Sequence, residues 1–219
     1  MAAGRARGRR TMSHEPQIYD RVAAYYDRWM RPFERAGLGR LRAAALAEAA
    51  PALAESGGGG RLLEVGAGTG GNFRVYPAGA RAACAEPSRE MLARARERPE
   101  RPAGALFVQA FAERLPFADA TFDAGVATLV FCSVKSPAEG FAELRRVVRR
   151  GGRVVLLEHV RPAGALGYAF DALSLLTVPL AGDHFNRRTA DEARRAGLEV
   201  SEVRNYLLGA VQLIVCRAG

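Results

Sequence analysis

The sequence predicts an α/β fold, a doubly wound and largely parallel sheet in one domain, on three observations. Strand-like and helix-like stretches alternate through most of the chain, which argues for a parallel sheet with helical crossovers. A glycine-rich turn follows a short apolar strand at residues 61–65. The last two strand-like stretches, 198–204 and 210–216, lie close enough to pair as a hairpin, which would put an antiparallel strand in the sheet.

Taken in order, residues 1–15 read as a disordered basic tail that lacks the apolar run of a secretory signal, with Met12 an alternative start. Residues 16–56 read as a helical cap rich in Ala, Leu, Arg and Glu, broken at Gly37 and Gly39. After a connector at 57–60, Arg61-Leu62-Leu63-Glu64-Val65 suits a strand buried on both faces. Strands are then expected at 80–85, 105–109, 122–130 and 153–158, and helices at 88–98 and 138–148. Gly151 and Gly152 are read as the turn that ends the second of these helices. The apolar stretch 163–181 contains Asp171 and Pro179, so it reads as a lid or interfacial segment within an insertion at 160–190, not as a spanning helix. The domain is thus 16–219.

Composition narrows the function. The chain has 219 residues, 49% of them hydrophobic and 25% charged, which is ordinary globular usage and excludes wholesale disorder. The net charge of +9 raises nucleic acid or an anionic membrane as a partner. All but one of the 32 basic residues are Arg, the exception being Lys135, which points to coding bias. No basic stretch is read as interleaving with aromatics that could stack on bases, so nucleic acid is set aside, and peripheral contact with acidic lipid is preferred. Cys84, Cys132 and Cys216 lack ligand spacing, so no metal site is expected; they suit reduced thiols in a cytoplasmic compartment.

The chemistry centres on Glu64-Val65-Gly66-Ala67-Gly68-Thr69-Gly70-Gly71-Asn72. Glycines there let the backbone turn tightly and approach a ligand at the carboxyl end of the strands. Gly66, Gly68 and Gly71 also satisfy the GxGxxG of dinucleotide-binding enzymes, and Glu86 suits the ribose of either cofactor. Glu64 tilts the choice, because a carboxylate beside the loop repels a pyrophosphate and suits a cationic ligand. Glu86-Pro87-Ser88 leads into a helix bearing Met91, and Ala112-Glu113-Arg114-Leu115-Pro116-Phe117 precedes Thr121-Phe122-Asp123.

This series, continued by Leu144-Arg145-Arg146-Val147 and Gly151-Gly152, resembles the motifs of class I S-adenosylmethionine-dependent methyltransferases of the type 11 kind over residues 16–219. The resemblance implies a Rossmann-like seven-stranded sheet of order 3-2-1-4-5-7-6 with strand 7 antiparallel, and S-adenosyl-L-methionine as cofactor. It implies that Glu64 and the loop with Gly66, Ala67, Gly68, Gly70 and Asn72 face the methionine part. Glu86 and Pro87 would serve the ribose, Met91 the adenine face, and Ala112 and Glu113 the adenine edge, with Tyr26 and Thr128 completing the set. Relatives often carry Asp where this chain has Phe111, which leaves adenine N6 to backbone or to Glu113.

The region from Ile18-Tyr19-Asp20 to Tyr25-Tyr26-Asp27 is similar to the cap of quinone C-methyltransferases and bacterial phospholipid N-methyltransferases. The runs Thr128-Leu129-Val130-Phe131-Cys132-Ser133-Val134-Lys135, Leu157-Glu158-His159-Val160 and Asn186-Arg187-Arg188-Thr189 are closer to membrane-associated thiol S-methyltransferases. The resemblance therefore implies a small-molecule or lipid acceptor: a thiol, a quinol or phenol, or a phospholipid amine. His159 and His184 are the candidate proton acceptors. The competing readings are a nicotinamide-dependent oxidoreductase and a non-enzymatic basic binding module.

Overall fold

A computed structural model describes residues 15–57, 59–181 and 184–219. The expected tail and Met12 therefore lie outside the described residues, except for Glu15, which already begins a helix.

Two helices come first, α1 (Glu15–Phe33) and α2 (Gly39–Ala54), joined by a wide helical turn in which Gly37 takes φ +130. Then follow β1 (Arg61–Val65), β2 (Arg81–Glu86), α3 (Arg89–Glu97), β3 (Leu106–Gln109), β4 (Phe122–Thr128), α4 (Pro137–Val147) and β5 (Val148–His159). The chain closes with α5 (Ala165–Ala181), α6 (Thr189–Arg195), β6 (Leu198–Tyr206) and β7 (Val211–Ala218).

The seven strands form one sheet in the order β3-β2-β1-β4-β5-β7-β6, the order expected. β3, β2, β1, β4 and β5 run parallel, and β7 is antiparallel to both β5 and β6. Alternate residues of the buried strands serve opposite layers. Leu62, Val126, Val155 and Leu213 face α2 through Ala45, Leu46, Ala49 and Leu53. Leu63, Leu156 and Ile214 face the opposite layer, which holds Leu144 and Val147 of α4 and Ala193 of α6.

Several boundaries differ from expectation. α2 is a covering layer of the sheet, so α1 is the part of the cap that leaves it. β4 stops at Thr128, because Leu129 turns to φ +57. β5 starts five residues earlier than expected, and Gly151 and Gly152 form an irregularity inside it: Phe122 pairs with Val148 and Ala124 with Arg153. β6 continues to Tyr206, so the hairpin connector shortens to residues 207–210, with a 3-10 turn at Leu207–Gly209.

The irregularity makes unequal demands on its two glycines. A Cβ at Gly152 would sit 2.6 Å from the Asp123 carbonyl oxygen and 2.8 Å from that of Arg149, whereas at Gly151, with φ +76, it would meet open space. Gly152→Ala is expected to lose about 2–3 kcal/mol in urea melts through overpacking. Gly151→Ala should lose about 1 kcal/mol, from left-handed strain alone. Equal losses would contradict the backbone clash.

Candidate active site

Parallel sheets bind ligands beyond the carboxyl ends of their strands, where the strand order reverses. Here the order reverses between the neighbours β1 and β4, and a cleft opens beyond their ends. Tyr26, Gly66, Gly68, Glu86, Pro87, Met91, Ala112, Glu113 and Thr128, all expected in the site, line it.

Glu86 ends β2 almost fully buried, at 6% exposure. One carboxylate oxygen accepts the Gly68 N–H and the other the Ser88 N–H, each at 2.9 Å. A carboxylate oxygen has two acceptor sites, so each keeps one toward the cleft, which fits paired ribose hydroxyls. Gly68 holds φ +54 with open space where a Cβ would stand, so a ligand can approach its backbone. Ser88 caps α3 by accepting the Met91 N–H, which fixes Met91 in the cleft wall. These features fit the nucleoside part of S-adenosylmethionine.

Other expected residues stand behind the wall instead of in it. Glu64 is buried in β1; its carboxylate accepts from the Asn72 side-chain amide at 2.6 Å and from the Tyr76 hydroxyl. It anchors the loop from beneath and does not line the cleft, a correction of its expected place at the methionine end. Asn72 is equally internal, since its amide also donates to Thr128 Oγ1 at 2.9 Å. Gly70 is required for packing: its Cβ would lie 2.3 Å from the Phe73 ring. Ala67 lines a second, open hollow, which shares Tyr26, Gly66, Gly68 and Thr128 with the cleft. Glu113 borders the cleft, but one of its carboxylate oxygens accepts the N–H groups of Lys135 and Ser136 at 3.0 and 3.1 Å. That oxygen braces the next loop and does not reach for adenine.

Arg42 is the largest omission of the sequence reading. From α2 its guanidinium donates to Asn72 Oδ1 at 3.0 Å and Thr128 Oγ1 at 2.7 Å, and it pairs with Glu34 at 2.9 Å. Nothing distinguishes it in sequence from the other arginines of the cap. A second omission is how α1 is latched. Asp27 accepts from Thr69 Oγ1 at 2.6 Å and pairs with Arg98, while Asp20 accepts from Ser88 Oγ and the Glu90 N–H. Two tyrosine-aspartate pairs seven residues apart were the available signal, since that spacing puts both aspartates on one helical face.

At the other end of the cleft, Glu158 accepts the N–H groups of Val130 and Phe131 at 3.0 and 3.1 Å and holds the loop after β4, whose Leu129, Val130, Ser133 and Val134 line the cleft. His159 is turned away from the cleft; its ring stacks on Phe185 at 4.2 Å, and burial pushes its pKa down to about 4. His184 is half-buried, and its backbone N–H donates to the Cys132 carbonyl at 2.9 Å, next to the cleft-lining Ser133. Burial, and secondarily Arg187, lower its pKa. The three cysteines are buried and free, and burial pushes the Cys84 and Cys216 thiols up to about 12. Among the described residues no cluster of His, Cys, Asp and Glu could hold a metal.

This strand order, with its glycine loop and a carboxylate closing β2, defines the class I methyltransferase fold. Residues 63–156 match the family described as methyltransferase domain. Mouse thiol S-methyltransferase TMT1B is 35% identical over 149 residues, covering 65% of this chain and 60% of the relative. A Pseudomonas entomophila ubiquinone/menaquinone biosynthesis C-methyltransferase, UbiE, is 33% identical over 175 residues, covering 76% and 66%. Phosphatidylethanolamine N-methyltransferase of Cereibacter sphaeroides is 40% identical over 121 residues, covering 53% and 59%. A solved Thermotoga maritima SAM-dependent methyltransferase superposes with a TM-score of 0.65 at 24% identity, over 94% of this chain and all of that one. The chain carries an S-adenosylmethionine-dependent methyltransferase domain of class I. It spans about 60% of the length of the mouse and rat thiol methyltransferases it matches, and less of the human ones.

The buried carboxyls make stability depend on pH. Burial pushes Glu64, Glu86 and Glu158 each from 4.5 up to about 7. The folded state then binds more protons than the unfolded one between these values, so stability is lost as pH rises through about 7. His159, lowered from 6.5 to about 4, acts in the opposite sense only below 6.5. Three carboxyls outweigh the one histidine, so the thermal midpoint of the ligand-free protein is expected to fall from about pH 5 to about pH 7.5 and then level off, and Glu158→Gln should flatten part of that fall. A midpoint flat over that range would show the carboxyls ionised throughout.

Proposed function

We propose that the protein transfers a methyl group from S-adenosylmethionine to a small lipophilic acceptor. The observation that carries this reading is Glu86: a buried carboxylate at the end of β2, fixed by two backbone N–H groups and still able to accept two hydroxyls at the cleft. Bound there, S-adenosylmethionine would supply an electrophilic methyl on a sulfonium. Glu86 and Met91 would hold the nucleoside, while Gly68 lets the backbone approach it. The helix α1 would close over the loop through Asp20 and Asp27, keeping water from the reacting atoms.

The far wall is apolar, with Leu129, Val130 and Val134, which favours an acceptor with a hydrophobic body. Thiols, phospholipids and quinones are named for the relatives, and all three are lipophilic or can be. In-line displacement draws much of its rate from holding donor and acceptor in line. Where the acceptor must lose a proton, we assign its acceptance to His184, beside the cleft wall and held in its neutral form by burial and Arg187. His159 packs against Phe185 instead.

Calorimetric titration with S-adenosylhomocysteine is the direct test. Wild type should bind it, Glu86→Ala about a hundredfold more weakly through loss of two hydrogen bonds to a charged group, and neither should bind NADH or NADPH. Nicotinamide binding in place of the homocysteine product would favour an oxidoreductase. An acceptor screen spanning thiols, quinols, phenols and aminophospholipids should then find turnover on the lipophilic members. With such an acceptor His184→Ala is expected to lower turnover about a hundredfold while sparing product affinity, and His159→Ala to lower stability alone. Turnover confined to polar acceptors would refute the acceptor assignment.

A further inference from the structure

The inner face of α1 covers the glycine loop; its outer face has no cover among the described residues. Tyr25, Trp29 and Phe33 recur at every fourth position, and are 59%, 59% and 62% exposed. That spacing makes one continuous stripe along the helix. Arg21 and Arg28 are exposed along one side of it, and neither forms an ion pair among the described residues, whereas Arg31 and Arg35 line the hollow beside the glycine loop. Aromatic residues interleave with unpaired arginines here, contrary to the sequence reading that no such stretch exists.

A second bare face borders the other end of the cleft. Tyr168 and Leu175 of α5, two turns apart, are 73% and 77% exposed, and Leu166 and Leu173 run beside them. The one charged residue of this helix, Asp171, is paired with Arg161, whose guanidinium also lies over the Tyr168 ring at 5.5 Å. Leu207 and Leu208 project from the β6–β7 turn at left-handed φ values of +49 and +57. Pro162, at the foot of α5, lies 3.9 Å from where a Cβ on Gly209 would stand. Tyr26 of α1 lines the cleft, and His184, just after α5, is bonded to the loop that forms its opposite wall.

We propose that these two faces dock the protein onto a lipid surface bearing anionic headgroups, so that the cleft between them opens toward the acyl chains. Aromatic and aliphatic side chains suit the boundary between headgroups and chains, and arginines reach back to phosphates from the same helix. Among the described residues no helix is long and apolar enough to cross a membrane, so the contact is with the surface. A second copy of the chain fits less well: a two-fold contact across α1 would set each arginine row against its counterpart. Docking of this kind does not require the methyl-transfer reading, and the two are tested separately.

Trp29 is the sole tryptophan of the chain, so its emission reports directly on the proposed surface. Mixing the full-length protein with phosphatidylcholine vesicles containing phosphatidylglycerol should shift that emission to the blue and sediment the protein. Pure phosphatidylcholine should do neither, and high salt should reverse both. Each arginine near an anionic surface is worth about fivefold in partitioning. Charge reversal at Arg21 and Arg28 together should therefore weaken binding by at least about twenty-fivefold. Leu175→Asp should also weaken it, with thermal melts and S-adenosylhomocysteine affinity of both variants at wild-type values. No shift on anionic vesicles, binding indifferent to lipid charge, burial of Trp29 in a vesicle-free dimer, or a response to single-stranded oligonucleotide without one to vesicles would each overturn the proposal.

Discussion

The site depends on one buried cation. Arg42 is 7% exposed, and a guanidinium out of water must have its donors met or it destabilises the fold by several kcal/mol. Its partners are Glu34, Asn72 and Thr128, so satisfying it fixes α2, the glycine turn and the end of β4 relative to one another. Asn72 passes the constraint on, because its amide holds Glu64, and Glu64 in turn holds Tyr76. A glycine-rich turn is entropically costly to order. This chain orders it from below with a polar network and from above with Asp27 on Thr69. What is left at the cleft itself is rigid backbone and one carboxylate, Glu86.

Those layers differ in how far the sequence discloses them. The strands were legible because a run such as Leu62 to Val65 between turn signals has few other outcomes, and the sheet order followed from the resemblance that the glycine turn, Glu86 and the later motifs carry. Glu86 was legible too, since a carboxylate about twenty residues past such a turn lies at the end of the neighbouring strand. Glu64 could be located but not oriented: its strand position was readable, but which way its carboxylate turns depends on Asn72 and Tyr76, eight and twelve residues on. Arg42 was invisible, because its importance arises from contacts 30 and 86 residues away. The early start of β5 was missed for a similar reason, as Val148 joins the sheet only by pairing with Phe122 across an irregularity that no local pattern announces.

The first helix shows how one short sequence can serve two surfaces. Residues on the face of Asp20, Ala23 and Asp27 turn inward to the loop and to α3, and Ala23 is buried there. Residues on the face of Tyr25, Trp29 and Phe33 turn outward. Periodicity marks both stripes, but only the contacts decide which one is the inner. The apolar and aromatic residues of this helix gather on one side and its carboxylates and arginines on the other, so its sequence signals a helix strongly while leaving open which side packs.

The loop after β4 has a different kind of anchorage. Leu129 bends it away from the sheet at φ +57, and the Glu158 carboxylate gathers the N–H groups of Val130 and Phe131 beneath it. That wall of the cleft thus hangs from β5, while the nucleoside wall hangs from β1, β2 and α2. The two halves meet where Val130 packs over Gly66 and where Glu113 accepts the N–H groups of Lys135 and Ser136. Val130 is bound by shape to the glycine turn, whereas the side chains at 129, 133 and 134 make none of the hydrogen bonds of the Arg42 network, so the cleft has one fixed corner and a wall whose lining can vary at little cost to the rest.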